Sequence, residues 1–83
     1  METIQITKEK VDELIHELSH LTEVVRPEIA ARLTAARAQG DLSENAEYLA
    51  AKKEQEITDF RIDEIEALLR RIRKEISLDK ENK

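Results

Sequence analysis

Cysteine and tryptophan are missing from this sequence, and glycine, proline, tyrosine and phenylalanine occur only once each in 83 residues. The lack of cysteine excludes a disulfide, a thiol nucleophile and a cysteine-ligated zinc site. Aromatic residues, at 2%, leave little for a ligand pocket and argue against a nucleic-acid module that stacks bases on aromatic rings. No apolar run approaches the length of a membrane span and there is no signal peptide, so we expect a cytoplasmic protein without a membrane partner.

Charged residues make up 40% of the sequence and hydrophobic residues another 40%. With so little glycine and proline, this balance is typical of a long helical or coiled-coil chain rather than a β-sandwich. The length allows one small domain with a thin core, so stability depends on regular helix packing or on partners. The net charge of −5 argues against free duplex DNA as the primary target.

The first predicted helix begins near Thr7, a suitable N-cap, with Glu9 in its first turn. Its apolar stripe starts as heptads and then slips by an inserted step of four around Pro27. Because a proline inside a helix loses one backbone hydrogen bond and clashes with the preceding turn, we expect a kink or a restart there. The predicted stripe is Val11, Leu14, Leu18, Leu21, Val25, Ile29, Leu33 and Ala36.

Gly40 is placed as the C′ glycine that ends this helix. The second predicted helix begins between Asp41 and Ser43, and from Ile62 onward its apolar residues are spaced alternately by three and four. The predicted second stripe is Ala46, Ala50, Ile57, Ile62, Ile65, Leu69, Ile72 and Ile76, flanked by Phe60 and Leu68.

Residue numbers of matching positions in the two stripes add up to 83, as for Val11 with Ile72 and for Leu33 with Ala50. Two antiparallel helices joined by one tight turn produce such a constant sum. Pro27 then faces residue 56, where the second stripe is also irregular. The sequence therefore predicts an all-α fold, an antiparallel coiled-coil helical hairpin with a tight turn at 40–43 and arms about 45–50 Å long. The polar end at 79–83 is expected to fray.

The turn carries the segment GDLSENAEY at residues 40–48, which holds three carboxylates. From the residues alone, two interpretations stay open. Asp41 as an N-cap followed by Glu44 approximates a capping box, and carboxylates favour a helix N-terminus. Alternatively, Asp41 and Glu44 converge as oxygen ligands on one magnesium ion. Two ligands are too few to hold magnesium alone, so another macromolecule would have to complete that site.

The segment GDLSENAEY, together with RPEI at residues 26–29 and AAR at residues 35–37, closely resembles the Gre transcript-cleavage factors of bacterial RNA polymerase, of the GreA type. The resemblance covers nearly the whole chain, as the N-terminal coiled-coil domain of that family. It implies a transcription elongation factor domain that inserts into the polymerase secondary channel. There it stimulates cleavage of the backtracked nascent RNA 3′ end by the polymerase, so the chain is not an enzyme in its own right.

By the same resemblance, Asp41 and Glu44 are the catalytic pair. With RNA polymerase they hold the second active-site magnesium ion and orient the attacking water, as in two-metal catalysis. Ser43, Asn45 and Tyr48 position the tip.

The resemblance also places two basic residues, Arg37 and Lys52, behind the tip and near the RNA. Two alternatives to this function stay open. One is an anti-cleavage relative that shares the scaffold, and the other is a purely structural coiled-coil module that oligomerises.

Members of this family normally continue into a C-terminal FKBP-like globular domain that anchors the factor on the polymerase rim. Residues 1–83 contain only the coiled-coil domain, so we expect a fragment or a shortened relative that binds polymerase weakly. Because each helix buries a single stripe, weak self-association of hairpins into a four-helix bundle is also expected.

Two other groups of side chains have competing interpretations. His16 and His20 share a helix face at a spacing that can chelate zinc, but no third ligand is evident, and we interpret them as solvated. The basic run at residues 70–74 suits the last turns of a helix through the helix dipole, and contact with nucleic acid is its alternative role.

Overall fold

In the computed structural model the backbone is described for residues 7–81 and the side chains for residues 7–76. This part of the chain consists of α1 (Lys8–His20), a π-helical segment (Leu21–Val25), α2 (Arg26–Arg37) and α3 (Ala46–Glu81). The first three elements form one continuous arm, here called the first arm, and α3 forms the second arm. Residues 38–45, the tip loop, connect them. The molecule measures 62 by 23 by 17 Å, and the predicted all-α hairpin is confirmed.

The outer end of the first arm is capped as the sequence predicts. Thr7 Oγ1 accepts a hydrogen bond of 3.2 Å from the backbone N–H of Lys10, which makes Thr7 the N-cap of α1. Glu9 lies in the first turn, where its charge complements the helix dipole. At the end of the second arm the helix continues through Glu81. The fraying predicted for residues 79–83 is therefore wrong for residues 79–81, which are helical; residues 82 and 83 lie outside the described residues.

The irregularity predicted at Pro27 takes the form of a π-helical turn directly before it. Pro27 has no N–H to donate to the carbonyl of Glu23, and in a regular helix its ring would clash with that carbonyl. In the wider turn the N–H of Arg26 donates to the carbonyl of Leu21, five residues earlier. Since a π-turn adds one residue to a helix, it accounts for the slip in the apolar stripe. The predicted restart is confirmed, with Pro27 in the first turn of α2.

The apolar stripe predicted for the first arm is confirmed in full. All eight members are buried or half-buried, and the most buried lie at both ends of the arm. These most buried residues are Leu14, Ile29, Leu33 and Ala36.

The stripe predicted for the second arm is confirmed from Ile62 to Ile72 and is wrong between there and the tip. Ile62 and Ile65 are buried, but Ala46, Ala50 and Ile57 are exposed. The core positions of α3 are spaced alternately by three and four residues without interruption. Two of these positions hold polar residues, which a prediction based on apolar residues does not include. These core positions are Tyr48, Ala51, Gln55, Thr58, Ile62, Ile65, Leu69 and Ile72.

Further predictions about the second arm are also wrong. The second arm has no irregularity opposite Pro27, since its core positions there are polar but regularly spaced. Leu33 clusters with Ala51 and not with the predicted Ala50, because the extra residue of the π-turn moves its partner one position along α3, away from the tip. Ile76, predicted as the last core residue, is exposed, and so is Phe60, predicted to flank the stripe.

Within residues 7–76, three ion pairs cross between the arms: Glu17–Arg61, Arg26–Asp59 and Arg32–Glu54. The guanidinium of Arg61 donates to both carboxylate oxygens of Glu17, at 2.6 and 2.8 Å. These bonds hold the pKa of Glu17 below its usual value. All six side chains are partly exposed to solvent, so each pair adds little stability. They are compatible with the alignment of the arms that core packing sets.

Candidate functional site at the hairpin tip

The tip loop begins where α2 ends, and its glycine makes the turn. Gly40 has a φ of 112°, a conformation that residues with a side chain rarely adopt. The N–H groups of Gln39 and Gly40 donate to the carbonyls of Ala36 and Arg37, at 3.1 and 3.4 Å. Gly40 therefore makes the turn after the first helix as predicted, but the prediction that it is the C′ residue is wrong, because the C-cap is Ala38 and Gly40 lies two positions beyond it.

Asn45 closes the tip by bonding to both arms. Its Oδ1 accepts a hydrogen bond of 3.0 Å from the backbone N–H of Tyr48, which makes Asn45 the N-cap of α3. Its Nδ2 donates a hydrogen bond of 2.8 Å to the carbonyl of Ala36 in the last turn of α2. One side chain therefore pairs an otherwise free donor at the start of one helix and a carbonyl at the end of the other.

The prediction that Asp41 caps the second helix, and that this helix begins at 41–43, is wrong. Asn45 has the capping role, and α3 begins at Ala46. By residue type the sequence offers both positions, because asparagine is as strong an N-cap as aspartate. Glu47 then supplies the acidic residue that first turns favour. The spacing of Asp41 and Glu44 resembles a capping box, and this favoured Asp41 over Asn45 in the prediction.

The Asp41 carboxylate does not cap a helix and instead forms hydrogen bonds within the loop. Its Oδ1 accepts hydrogen bonds from the hydroxyl of Ser43 at 2.8 Å and from the backbone N–H of Ser43 at 3.0 Å. Both bonds favour the charged form and hold the pKa of Asp41 below its usual value, the hydroxyl bond being the larger cause. Asp41 is therefore an ionised, solvent-exposed carboxylate at neutral pH, with one oxygen held in place by Ser43.

Glu44 is exposed in the same loop, so the tip displays two carboxylates. Among the described residues no group of three or more histidine, cysteine, aspartate or glutamate side chains is arranged to hold a metal ion. Carboxylate oxygens are ligands that magnesium prefers, but magnesium needs six ligands in near-octahedral geometry. The chemistry of Asp41 and Glu44 therefore fits magnesium only if other ligands come from water and from a second molecule.

Tyr48 connects the tip to the hydrophobic core. It is half-buried and packs against the cluster formed by Ile29, Leu33 and Ala51. Beside it, Gln39 Nε2 donates to Glu47 Oε2 at 3.3 Å, a second side-chain bond across the base of the loop. The ends of the two helices that carry the acidic loop are therefore packed against each other.

Arg37 and Lys52, the basic residues predicted near the tip, are both exposed. Arg37 is the last residue of α2, and Lys52 lies in the second turn of α3, where its Nζ donates to Gln55 Oε1 at 3.4 Å. The structure thus places one cation on each arm behind the acidic loop.

The remaining candidates lie far from the tip along the arms. His16 and His20 are exposed, and no metal cluster includes them within the part of the chain that is described, which fits the solvated interpretation. The basic run at residues 70–74 is exposed except for Ile72, and Arg71 pairs with Glu75 at 3.9 Å. Within the described residues, no helix has the length and apolar character that a membrane crossing requires.

Comparison with known proteins gives a consistent result. The model of the transcription elongation factor N-terminal domain, GreA and GreB type, matches residues 4–73. Transcription elongation factor GreA of Mesoplasma florum is 52% identical over 66 residues, covering 80% of this chain and 42% of the relative. The GreA proteins of Verminephrobacter eiseniae and Lactococcus lactis strain MG1363 are 52% and 48% identical, and the matches cover 83% and 82% of this chain and 44% of each relative. The chain thus spans less than half the length of the curated relatives it matches.

Proposed function

The chain belongs to the family of transcription elongation factor N-terminal domains, GreA and GreB type, and from this premise we propose that it acts on bacterial RNA polymerase during elongation. It enters the secondary channel of a backtracked polymerase with the tip loop leading. There it stimulates cleavage of the nascent RNA 3′ segment by the polymerase's own active site. Cleavage leaves a new RNA 3′ end from which an arrested complex resumes synthesis.

The observation that carries this proposal is the position of two exposed carboxylates at the far end of a stiff rod. The rod is 62 Å long and only 23 by 17 Å across, a shape suited to reaching a site at the bottom of a narrow channel. Asn45 bonds to both arms and Tyr48 packs on the core, so the loop is held at the end of the rod. A helix cap alone does not account for Asp41 and Glu44, because Asn45 supplies the cap.

The carboxylates of Asp41 and Glu44 act as ligands that this chain shares with the polymerase. When bound, a magnesium ion supplies positive charge that favours the hydroxide form of water and stabilises negative charge at the scissile phosphate. Asp41 and Glu44 help to retain that ion and accept hydrogen bonds from the attacking water, which orients it. Ser43 holds one oxygen of Asp41 and thereby orients the carboxylate.

Arg37 and Lys52 serve a separate purpose in this proposal. Both are exposed cations on the arms directly behind the loop, where the extruded RNA would pass. Contacts between their charges and RNA phosphates offset the repulsion that the acidic tip exerts on the RNA. Their removal should weaken action on backtracked complexes without changing the magnesium requirement.

The decisive experiment compares the parent chain with the double variant Asp41→Asn/Glu44→Gln on backtracked elongation complexes at several magnesium concentrations. Asn45 caps α3, so neither substitution removes a helix cap, and folding by circular dichroism should be unchanged. Neutral amide oxygens are poorer magnesium ligands than carboxylates. At saturating protein, stimulated cleavage should fall by about two orders of magnitude or more, as for loss of a catalytic group, with partial recovery at high magnesium.

A matched control makes the same charge change away from the tip. Glu56→Gln/Asp63→Asn also removes two exposed carboxylates, on α3, and should cleave like the parent. Undiminished cleavage by the tip variant would refute the shared-ligand mechanism. If the parent itself gives no cleavage although it binds polymerase, the chain belongs with anti-cleavage relatives. If it also fails to bind polymerase, the result supports the alternative that the chain is a purely structural coiled-coil module.

A further inference from the structure

The second arm carries a second regular stripe of residues outside its core positions, and part of this stripe borders the first arm. Its members are spaced by four and three residues in turn, the period that one helix needs to pack along another. All of them are exposed to solvent. We call this stripe the outer seam, and it consists of Ala46, Ala50, Lys53, Ile57, Phe60, Glu64, Ala67, Arg71 and Lys74.

The centre of the outer seam is apolar and unusually exposed. Phe60, the single phenylalanine of the chain, is 71% exposed, and Ile57, one turn before it, is 61% exposed. Scattered exposed apolar residues are ordinary on protein surfaces, but neighbouring ones at helical spacing form a patch. Among the described residues, more than half of each of these two side chains stays open to solvent.

When two copies of the outer seam are aligned antiparallel, the residues that face each other are complementary in charge and size. Turning a second copy end over end about the midpoint between Ile57 and Phe60 places Ile57 against Phe60 of the other copy. The same operation places Lys53 against Glu64, and small Ala50 against small Ala67. A parallel, in-register pair would instead place Lys53 against Lys53 and Glu64 against Glu64. Charge therefore selects the antiparallel arrangement, and the match has the reciprocity that a twofold interface requires.

We propose that two copies of this chain pair antiparallel along the outer seam, in a four-helix assembly centred on Ile57 and Phe60. Each copy contributes the same surface, so the interface is closed and growth stops at the dimer. Two apolar residues per copy make a small interface. The dimer is therefore weak and forms only at high protein concentration. This proposal does not depend on the proposed function.

The pairing also gives the basic run at residues 70–74 a partner. In the antiparallel register, the start of α3 in one copy lies beside this run in the other, and Glu47 faces Arg70. The tip loop of each copy, with Asp41 and Glu44, then lies next to the cations of its partner. Dimers would therefore have their acidic tips covered, and dilution would release them.

Sedimentation of the 83-residue chain tests the association. Between about 10 μM and about 1 mM the parent should shift from monomer to dimer. Phe60→Gln should raise the dissociation constant by about tenfold or more, the effect of losing an apolar anchor at the centre of an interface. Ile15→Gln is the matched control, because Ile15 is also a half-exposed isoleucine but lies on the first arm, away from the seam. A monomer at every concentration, or equal effects of both variants, overturns the proposal.

Two further measurements test the antiparallel register. Lys53→Glu alone should weaken the dimer, and adding Glu64→Lys in the same chain should restore it, whereas a parallel pair would respond to neither change. Because the chain has no cysteine, the substituted chains Ala50→Cys and Ala67→Cys can be mixed and oxidised. They should cross-link to each other and not to themselves. Cross-linking of either chain to itself overturns the register, and circular dichroism checks that all variants fold.

Discussion

The side-chain Nδ2 of Asn45 lies 2.8 Å from the carbonyl oxygen of Ala36, so the two arms are joined at the tip by a bond from the N-cap of one helix to the last turn of the other. The same side chain caps α3 through its Oδ1. The acidic loop between these residues is therefore fixed at both ends by one asparagine. Its two functions, capping and bridging, can be separated by substitution.

Asn45→Ala removes both bonds and should lower the free energy of unfolding by about 1–2 kcal/mol, the usual range for loss of an N-cap. Asn45→Asp keeps the acceptor for the N–H of Tyr48 but has no donor for the carbonyl of Ala36. It should therefore lie between the parent and the alanine variant. Urea unfolding followed by circular dichroism measures all three. An aspartate variant as stable as the parent would mean that the bridge to Ala36 contributes nothing.

Gly40→Ala should destabilise the hairpin by about 1 kcal/mol through backbone strain alone. The glycine has a positive φ of 112°, yet nothing lies within 4 Å of the position a Cβ would occupy. The cost therefore comes from the φ angle and not from a clash. Thermal unfolding monitored at 222 nm gives the size of the effect. Ala38→Gly, at a residue with ordinary helical angles, is the comparison and should cost less.

The sequence predicts the hairpin well because apolar residues at helical spacing form one face of each helix, and burial of these faces pairs the two arms. The first arm, with leucine, isoleucine and valine at its core positions, was correctly assigned throughout. The prediction is wrong near the tip of the second arm because Gln55 and Thr58 occupy core positions there, whereas an apolar pattern selects Ile57, which is exposed. The helix start was missed for a similar reason, since Asp41 and Asn45 are equally good caps by type. Only the three-dimensional turn decides between them.

Thr58→Val should stabilise the protein by about 0.5–1 kcal/mol. Thr58 is buried at a core position beside Val25 and Ile29, and valine replaces its hydroxyl with a methyl group of similar size that gains from burial. Ile62→Ala, one step along the same stripe, should cost about 2–4 kcal/mol through lost burial and a cavity. Chemical denaturation of both variants tests the corrected stripe. Ile57→Ala, exposed, should change stability by less than about 0.5 kcal/mol.

Lowering the pH should weaken the contact between Glu17 and Arg61. The guanidinium of Arg61 holds the pKa of Glu17 below its ordinary value of 4.5 in the folded state, so the unfolded chain binds this proton more readily. The stabilisation is complete above the unfolded pKa and is lost as the pH falls through the lower folded pKa. In Glu17→Gln, this part of the pH dependence should disappear. Melting temperatures from pH 7 to pH 3 measure it, with Glu66→Gln as an exposed control that keeps the parent's profile.

The 83-residue chain should bind bacterial RNA polymerase at least about tenfold more weakly than a full-length GreA relative, a difference of about 1.4 kcal/mol. The match covers only 42–44% of those relatives, and any contact made by their remaining residues raises the effective concentration of the tip at the polymerase. Competition against labelled Lactococcus lactis GreA measures the difference. The Asp41→Asn/Glu44→Gln variant should compete as well as the parent chain, because affinity and magnesium retention are separate properties in this mechanism. Equal affinity of the chain and the full-length relative would contradict the prediction and assign the whole binding energy to the coiled coil.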